Sequence, residues 1–157
     1  MPGGRLLVLV FDAYPLAAVL LGEASGRAVG RLLVDAIAQG EAAVSAANLA
    51  EVVDLVARAA VVDPADVLDA VELWVDGGLR VKALTWELAA RAASLRAVHY
   101  HRSRCPISLA DCAAIALAEH LRASLVTSDQ PLAQVAALSG IDVVPVPDSR
   151  GTVPSLI

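Results

Sequence analysis

Four carboxylic acid residues lie where a predicted strand ends or a predicted helix begins: Asp12, Glu51, Asp111 and Asp129. Asp12 directly follows an apolar stretch at 6–11, and Asp129 follows a second strand-like stretch at 123–128. The carboxyl ends of parallel strands meet at one edge of an open sheet, and ligands bind at that edge. Carboxylate oxygens are hard ligands that select Mg²⁺ or Mn²⁺. The spacing therefore predicts a divalent-metal site suited to phosphodiester chemistry.

Each of these acids also has a purely structural interpretation. Asp12 fits a turn, and Asp129 fits the N-cap of a helix. The segments Asn48–Glu51 and Ser108–Asp111 have the spacing of capping boxes. Ser, Thr or Asn can cap a helix without adding negative charge, whereas four acids at one edge repel one another unless cations or protons lie between them. Their convergence therefore favours the metal site.

The composition of the chain indicates one α/β domain. Its 157 residues suit a single unit, and 57% hydrophobic residues with a mean hydropathy of +0.65 can fill a large apolar core. Aromatic residues make up only 3%, so this core consists mainly of Ala, Val and Leu, which favours helices packed on a sheet. Strand and helix patterns alternate, which predicts a parallel sheet of about five strands with helices on both faces.

Hydrophobic periodicity and turn residues set the predicted boundaries of the elements. The predicted strands are 5–11, 42–45, 79–84, 125–127 and 141–144. The predicted helices are 15–21, 25–39, 48–59, 64–76, 85–100, 108–122 and 131–138. We expect residues 1–145 to form the domain and residues 146–157, which include prolines and a glycine, to form an irregular tail.

The charge of the chain limits its contacts with nucleic acid. A net charge of −5 and a pI near 5.0 argue against broad nonspecific adhesion, which depends on clustered Lys and Arg. Between Leu88 and Ala110, however, the chain has no Asp or Glu and contains four arginines that form a candidate RNA-binding face: Arg91, Arg96, Arg102 and Arg104. The same residues are also compatible with a solvated helix end and loop.

The sequence predicts neither a membrane segment nor a secretion signal. The longest apolar run, 13–21, contains Pro15 and is far shorter than the ~18 residues that a membrane span requires. The N-terminal apolar stretch leads into Asp12 and lacks a small-residue cleavage site. These features predict a soluble cytoplasmic protein.

Four short segments carry a family resemblance through their residues and their order: Val10–Ala13, Asn48–Val52, Leu109–Ala113 and Leu125–Asp129. Together they resemble a PIN domain, specifically the VapC-type ribonuclease toxins of bacterial toxin–antitoxin pairs, over essentially the whole chain. The most specific parts are the Thr127-Ser128-Asp129 element and the helical segment Asp111–Ala118. The resemblance implies a PIN-like three-layer fold for residues 1–145.

The resemblance also implies an activity, which is Mg²⁺-dependent hydrolysis of RNA phosphodiester bonds by an endoribonuclease. The acidic catalytic and metal-binding positions of the family correspond to Asp12, Asp111, Glu51 and Asp129, of which the first two are the firmest. Thr127 or Ser128 is expected to hydrogen-bond within this site. Relatives of this type are usually inhibited by a small cognate antitoxin and commonly dimerise, so both partners are expected. The helices between residues 15 and 58 are rich in Ala, Val and Leu, which could either leave an exposed groove for the antitoxin or fill the core.

One position departs from the pattern of the family. Many relatives have a small hydroxyl residue two places after the first Asp, where this chain has Tyr14 followed by Pro15. The aromatic ring could either pack at the start of the helix or stack on an RNA base. The departure leaves the metal carboxylates intact.

Two other classes of function stay open at this point. A catalytically silent PIN-like module would bind RNA or protein without cutting, although retention of all four acids argues against it. A receiver domain or a phosphatase of the haloacid-dehalogenase type would also place Asp at strand ends. Against that class, Asp12-Ala13-Tyr14 lacks the second Asp of a DxD loop, and the only lysine, Lys82, lies inside a predicted strand.

Overall fold

The computed structural model describes residues 7–157, which form a five-stranded sheet and seven helices. The strands are β1 (Leu9–Phe11), β2 (Ala42–Ser45), β3 (Arg80–Lys82), β4 (Ser124–Thr127) and β5 (Val143–Pro145). The helices are α1 (Ala13–Leu20), α2 (Gly26–Ala38), α3 (Ala46–Ala60), α4 (Pro64–Gly77), α5 (Trp86–His99), α6 (Leu109–Leu121) and α7 (Gln130–Leu138). Within this part of the chain, no helix is both long enough and apolar enough to cross a membrane.

All neighbouring strands of the sheet are parallel, and their order is β3-β2-β1-β4-β5. The chain first builds outwards from β1 to β3, and then returns to the other side of β1 to add β4 and β5. The boundary between β1 and β4 is therefore a topological switch point, where ligands bind beyond the carboxyl ends of the strands. The predicted parallel α/β fold is confirmed.

Two apolar cores lie on opposite faces of this sheet. Helices α1 to α4 cover one core, which contains Phe11 and Leu33, and helices α5 to α7 cover the other, which contains Val10 and Ile115. Successive residues of a strand point to opposite faces, so Val10 and Phe11 separate into different cores. Because both faces are covered, the central strands are continuous apolar runs instead of alternating patterns.

Side-chain caps fix the starts of three helices at the carboxyl edge of the sheet. Asp12, Ser108 and Asp129 each accept a hydrogen bond from a backbone N–H of the helix that follows, which are α1, α6 and α7 respectively. Ser108 and Asp111 form the predicted capping box. Helix N-termini carry partial positive charge, so they also favour carboxylates at this edge.

Helix α3 begins two residues earlier than the sequence predicts. Ala46 and Ala47 are strong helix formers, and they extend α3 back to Ser45, which has an extended backbone and makes no side-chain cap. The capping-box interpretation of Asn48–Glu51 is therefore wrong. Asn48 instead lies fully buried in the first turn of the helix.

The bounds of four strands differ from the prediction, and one predicted strand also extends beyond the part that the structure describes. β1 begins at Leu9, after the described residues 7 and 8, and β4 begins at Ser124 instead of 125. β3 is confined to Arg80–Lys82, and β5 lies at Val143–Pro145 instead of 141–144. Ile141 donates its N–H to the carbonyl of Ala136, which closes the turn after α7 and delays the strand. Residues 5 and 6 of the predicted first strand lie outside the described residues.

Gly26 marks the closest approach of α1 and α2. A Cβ atom at Gly26 would lie only 2.5 Å from the carbonyl oxygen and 2.7 Å from the carbonyl carbon of Ala18. Backbone atoms cannot move aside as the end of a side chain can, so this crossing requires glycine. Gly30 in the same helix has no such restriction, because its nearest neighbour would be a side-chain atom of Val19 at 3.8 Å.

Residues 146–157 contain no helix or strand, but hydrogen bonds hold them against the rest of the chain. Val146 donates its N–H to the carbonyl of Thr127 at 3.0 Å, in continuation of β5. Asp148 Oδ1 accepts the N–H groups of Arg150 at 2.9 Å and Thr152 at 2.8 Å, which shapes a tight turn. This tail returns the chain to the carboxyl edge of the sheet.

Candidate active site

Asp12 lies at the centre of the carboxyl edge, directly after the middle strand β1. Its backbone N–H donates to the carbonyl of Val126 at 3.0 Å, which ties it to β4. One carboxylate oxygen, Oδ1, accepts the N–H of Ala13 at 2.7 Å, and the other, Oδ2, accepts the hydroxyl of Thr127 at 2.9 Å. These two bonds hold the side chain in one orientation, and the residue is only 1% exposed.

Thr127 connects the two acids that flank the switch point. Its side chain is fully buried at the end of β4, where the hydroxyl donates to Asp12 and its Oγ1 accepts the backbone N–H of Asp129 at 3.0 Å. Asp129 in turn accepts the N–H of Leu132 at 2.8 Å through Oδ1. A single hydroxyl therefore sets the positions of both carboxylates relative to the sheet.

The other two acids come from α3 and α6, which pack against each other. Asp111 Oδ2 accepts the N–H of Ser108 at 2.7 Å, so the capping box fixes Asp111 in the first turn of α6. Glu51 is half-buried on α3, one turn after the buried Asn48. Residues three apart lie on the same face of a helix, so Asn48 and Glu51 face the site together.

Three of the acids have raised pKa values, and the charge of a neighbouring acid contributes to each shift. Burial, and then the negative charges of Asp111 and Asp129, raise the pKa of Asp12 to about 8, although bonds from Thr127 and Ala13 oppose this. Burial and then Asp111 raise the pKa of Glu51. Burial and then Asp129 raise the pKa of Asp111, against the opposing bonds from Ser108. A carboxyl in such surroundings requires either a proton or a cation.

Tyr14 projects into the same region from the first turn of α1. Its side chain is 52% exposed, so it borders solvent and is not part of the core. Burial of its hydroxyl raises the pKa of Tyr14, and the next causes are the charges of all four acids: Glu51, Asp111, Asp12 and Asp129. The charges of all four predicted site acids therefore act on the hydroxyl of Tyr14.

The donor set fits a hard divalent cation, although the carboxylates are spread and do not form a closed cage. Among residues 7–157, no three Asp, Glu, His or Cys side chains lie close enough together to hold a metal as they stand. Oε2 of Glu51 and both amide atoms of Asn48 are buried without hydrogen-bond partners in this part of the chain. Asn48 nonetheless lies near enough to lower the pKa of Glu51. A hard cation would give the unpaired buried oxygens a partner and would reduce the repulsion between the acids.

The predicted arginine face is divided by the structure. Arg91 donates to both carboxylate oxygens of Glu119 at 2.7 and 2.8 Å, and Glu119 lies eight residues after Asp111, about 12 Å along α6. Arg96 donates to the carbonyl of Ile107 and stacks over Tyr100, with 4.2 Å from its Cζ to the ring centroid.

Arg102 and Arg104 differ from these two, because they are exposed in the turn that precedes α6. That turn is closed by paired backbone bonds between His101 and Cys105, at 2.9 and 3.0 Å. The His101 ring nitrogen Nδ1 accepts the N–H groups of Ser103 and Arg104. The turn therefore holds two arginines near the helix start that carries Asp111.

Two polar residues near the site were not predicted from the sequence. The sequence pattern predicts Asn48 as a helix cap, yet it is a buried amide beside the acids; its i to i+3 spacing from Glu51 was the available signal. Gln130 follows Asp129 and binds the backbone of Ser155 through two hydrogen bonds of 2.7 Å. Ser128, which was predicted to support the acids, lines a cavity beside them.

Two comparisons with known proteins found relatives of this chain. The family model described as "PIN domain" matches residues 9–138. A solved structure described as "Toxin-antitoxin complex from Klebsiella pneumoniae" resembles this chain with a TM-score of 0.54 and 17% identity, over 78% of this chain and 87% of that one. No curated protein sequence matches the chain significantly. The family match covers most of the chain, including Asp12, Glu51, Asp111 and Asp129, and the chain therefore belongs to the PIN domain family.

Proposed function

We infer that this protein is a Mg²⁺-dependent endoribonuclease, a VapC-type toxin that hydrolyses RNA phosphodiester bonds and is neutralised by a cognate antitoxin. The observation that carries the proposal is the environment of Asp12, a buried carboxyl at the switch point whose pKa is raised to about 8 by burial and by neighbouring acids. Such an environment favours a bound cation, because the cation can take the place of the proton and neutralise the buried carboxylate. Membership of a family whose members are generally nucleases supports the same conclusion.

The proposed roles of the acids follow from how each is held. Asp12 and Asp111 would be the principal metal ligands, and Glu51 and Asp129 would complete the site. Bound Mg²⁺, or Mn²⁺ in its place, would polarise the scissile phosphate and lower the pKa of an attacking water. Thr127 keeps Asp12 and Asp129 in register and donates to the charged form of Asp12. No protein nucleophile takes part in the proposed reaction.

The two exposed arginines provide the contact with RNA in this proposal. Arg102 and Arg104 are exposed in the turn before α6, where they can bind RNA phosphates. Arg91 and Arg96 already donate to Glu119 and to a carbonyl oxygen, so they are less accessible to RNA. Two local cations suit an enzyme that binds RNA at one place, since the net charge of −5 opposes general adhesion.

We also propose a cognate antitoxin and a homodimer as protein partners. The similar structure is a toxin–antitoxin complex by its title, which supports a partner of this kind. Exposed apolar side chains on this chain give such partners a surface to bury, and they include Val61, Leu73, Trp86 and Val98. Since cellular RNA is the proposed substrate, we propose that the protein acts in the cytoplasm. We propose residues 1–145 as the nuclease domain and residues 146–157 as a C-terminal tail.

One observation favours a second candidate, a catalytically silent PIN-like module that binds RNA or protein. Within residues 7–157, the acids do not approach one another closely enough to form a preassembled metal site. If the acids stay apart when cations are present, the chain could bind a ligand at this edge without cutting it.

Incubation of the purified chain with total RNA distinguishes the two candidates. The nuclease proposal predicts discrete fragments with Mg²⁺ or Mn²⁺ and none with EDTA. The same samples can be titrated with Mg²⁺ by calorimetry. Metal binding together with discrete fragments supports the nuclease, whereas a chain that binds neither metal ion and leaves all RNA intact would be the silent module.

A further inference from the structure

A cavity of about 550 Å³ adjoins the acidic site. It lies between α1, α3, the start of α7 and the C-terminal tail, and it shares Tyr14 and Asp129 with the acidic site. Its volume falls within the range of about 300 to 1,000 Å³ that is typical of small-molecule pockets. A nucleotide next to a bond cleaved at the acids must lie against the surfaces that adjoin them, so this cavity is within reach of the substrate.

The C-terminal tail forms one wall of the cavity and is fixed in place. Gln130 donates its amide N–H to the carbonyl of Ser155 and accepts the N–H of Ser155, both at 2.7 Å. Pro154 is buried next to this pair of bonds, and Asp148 organises the preceding turn. Because the wall is already formed, a ligand that enters the cavity has little chain to order.

The lining combines apolar rings with carboxylates and with the hydroxyl groups of Ser25, Ser128, Ser149 and Thr152. Ring faces come from Tyr14, Pro15, Pro131, Pro147 and Pro154. The carboxylates of Glu23 and Asp148 also line the cavity, whereas no Lys or Arg of residues 7–157 does so. A phosphate group would therefore be repelled, and a flat neutral ring with N–H donors on its edge would satisfy both parts of the lining.

We propose that this cavity binds an unpaired nucleobase of the RNA next to the scissile phosphate, and that bases with an exocyclic amino group bind more tightly than uracil. The inference rests on the proposed nuclease function and names the part of the substrate that the site selects. Adenine, cytosine and guanine each present an amino group that can donate to Glu23 or Asp148, whereas uracil has no amino group and offers only its ring N3–H. A single cationic side chain of a protein partner would satisfy the carboxylates but leave most of the cavity empty.

Binding of short oligomers tests this inference with a matched pair of variants on α3. Ala59 lines the cavity, whereas the adjacent exposed Ala60 does not. The probes are fluorescent 2′-O-methyl heptanucleotides of adenine, cytosine and uracil, which resist cleavage, and anisotropy is measured with Mg²⁺. We expect the wild type to bind the adenine and cytosine oligomers at least about threefold more tightly than the uracil oligomer. Ala59→Trp should weaken the binding of the adenine and cytosine oligomers about tenfold, whereas Ala60→Trp should leave it unchanged.

A second variant tests the amino-group preference without filling the cavity. Glu23→Gln combined with Asp148→Asn removes both negative charges, and the amide introduced at position 148 retains an oxygen that can hold the tail turn. The new amides can donate to uracil, so the preference for adenine and cytosine should disappear. This double variant also decides the question if Ala59→Trp fails to fold, as judged by circular dichroism.

Several outcomes would overturn the inference. They are equal binding of all three oligomers by the wild type, no binding of any of them, or equal affinities for Ala59→Trp and Ala60→Trp. If acetyl-arginine amide bound to the wild type but not to Ala59→Trp, while both bound the oligomers equally, the cavity would belong to a protein partner.

Cleavage of total RNA, measured in parallel, separates this inference from the proposed function. Equal cleavage by wild type and Ala59→Trp would leave the nuclease intact and remove the base site. Absence of cleavage by the wild type, together with the expected oligomer pattern, would remove the nuclease and leave the base site.

Discussion

Asp12 shows how one side chain serves structure and chemistry at the same time. It caps α1, where the structural interpretation predicts a turn residue, and it also lies buried among other acids. The cap uses one carboxylate oxygen and Thr127 uses the other, so the carboxylate is oriented before any ligand arrives. A cap alone could be Ser or Asn, which carry no charge, whereas a carboxyl that is buried here among other acids requires either a proton or a bound cation.

The raised pKa of Asp12 predicts that the metal-free protein loses stability as pH rises. The pKa is about 8 in the folded chain, whereas its ordinary value, which applies to the unfolded chain, is 3.8, so the folded state holds its proton more tightly. The contribution of this proton to the free energy of unfolding is complete below pH 3.8 and is lost as the pH rises towards 8. For one proton, the slope of that free energy is at most about 1.4 kcal/mol per pH unit. Urea unfolding in EDTA at several pH values measures this slope.

Asp12→Asn tests whether Asp12 causes this pH dependence of the free energy of unfolding. It should keep the cap to Ala13, flatten much of the pH dependence and raise the metal-free stability near pH 8. Glu51 and Asp111, whose pKa values are also raised, should leave a smaller slope of the same sign. The electrostatic account of the site fails if wild type and Asp12→Asn lose stability equally between pH 5 and pH 8.

Thr127 is expected to matter through its hydroxyl and not through its methyl group. Thr127→Val removes the donor to Asp12 and the acceptor for the Asp129 N–H, and such losses in a buried site cost about 1–3 kcal/mol. We expect RNA cleavage to fall about tenfold or more. Thr127→Ser keeps the hydroxyl and should cleave at close to the wild-type rate. Equal rates for the two variants would show that the hydroxyl does not position the acids.

At the scale of elements, the strands and helices could be predicted because hydrophobic periodicity and caps are local signals. The N-cap of α7 at Asp129 and the capping box at Ser108 were both readable in this way. The start of α3 was not, because Asn48 has the pattern of a cap while the intrinsic helix preference of Ala46 and Ala47 outweighs it. The sequence shows both of these local patterns but not which of them prevails.

The α1–α2 crossing gives a direct test of element packing. Gly26→Ala would place a Cβ 2.5 Å from a backbone oxygen of Ala18, so the helices must separate. We expect a loss of about 1–3 kcal/mol in the free energy of unfolding, as for overpacked cores. Gly30→Ala is the control and should be neutral or stabilising by up to about 1 kcal/mol, because the site is open and Ala favours helix. Thermal unfolding compares them, and equal melting temperatures would contradict the close approach.

At the scale of the whole molecule, the order of the strands determines the site, and that order could not be read from the sequence alone. The sequence predicts which strands exist, but the placement of β1 between β2 and β4 is a long-range property. The pairing of Arg91 with Glu119, 28 residues away, was hidden for the same reason. The bonds from Gln130 to Ser155 likewise join distant segments and make the tail part of the carboxyl edge.

The distribution of charge over the molecule predicts how RNA binding responds to salt. Arg102 and Arg104 are the exposed cations in the turn before α6, so replacing both with Ala should weaken binding of single-stranded RNA and reduce the slope of log K against log salt by about 1.4. Metal binding should be unchanged. Arg31→Ala, on the exposed surface of α2, is the control. An unchanged salt slope in the double variant would place the RNA elsewhere.

The most direct test of the account is cleavage of total RNA by wild type, Asp111→Asn and Asp35→Asn with Mg²⁺, with EDTA as the metal-free control. The amide introduced at position 111 retains an oxygen for the capping box, and Asp35 is an exposed acid on α2 that serves as the matched control. The account predicts the same discrete fragments from wild type and Asp35→Asn, none in EDTA, and none from a folded Asp111→Asn. Cleavage by Asp111→Asn at the wild-type rate, or fragments that persist in EDTA, would contradict it.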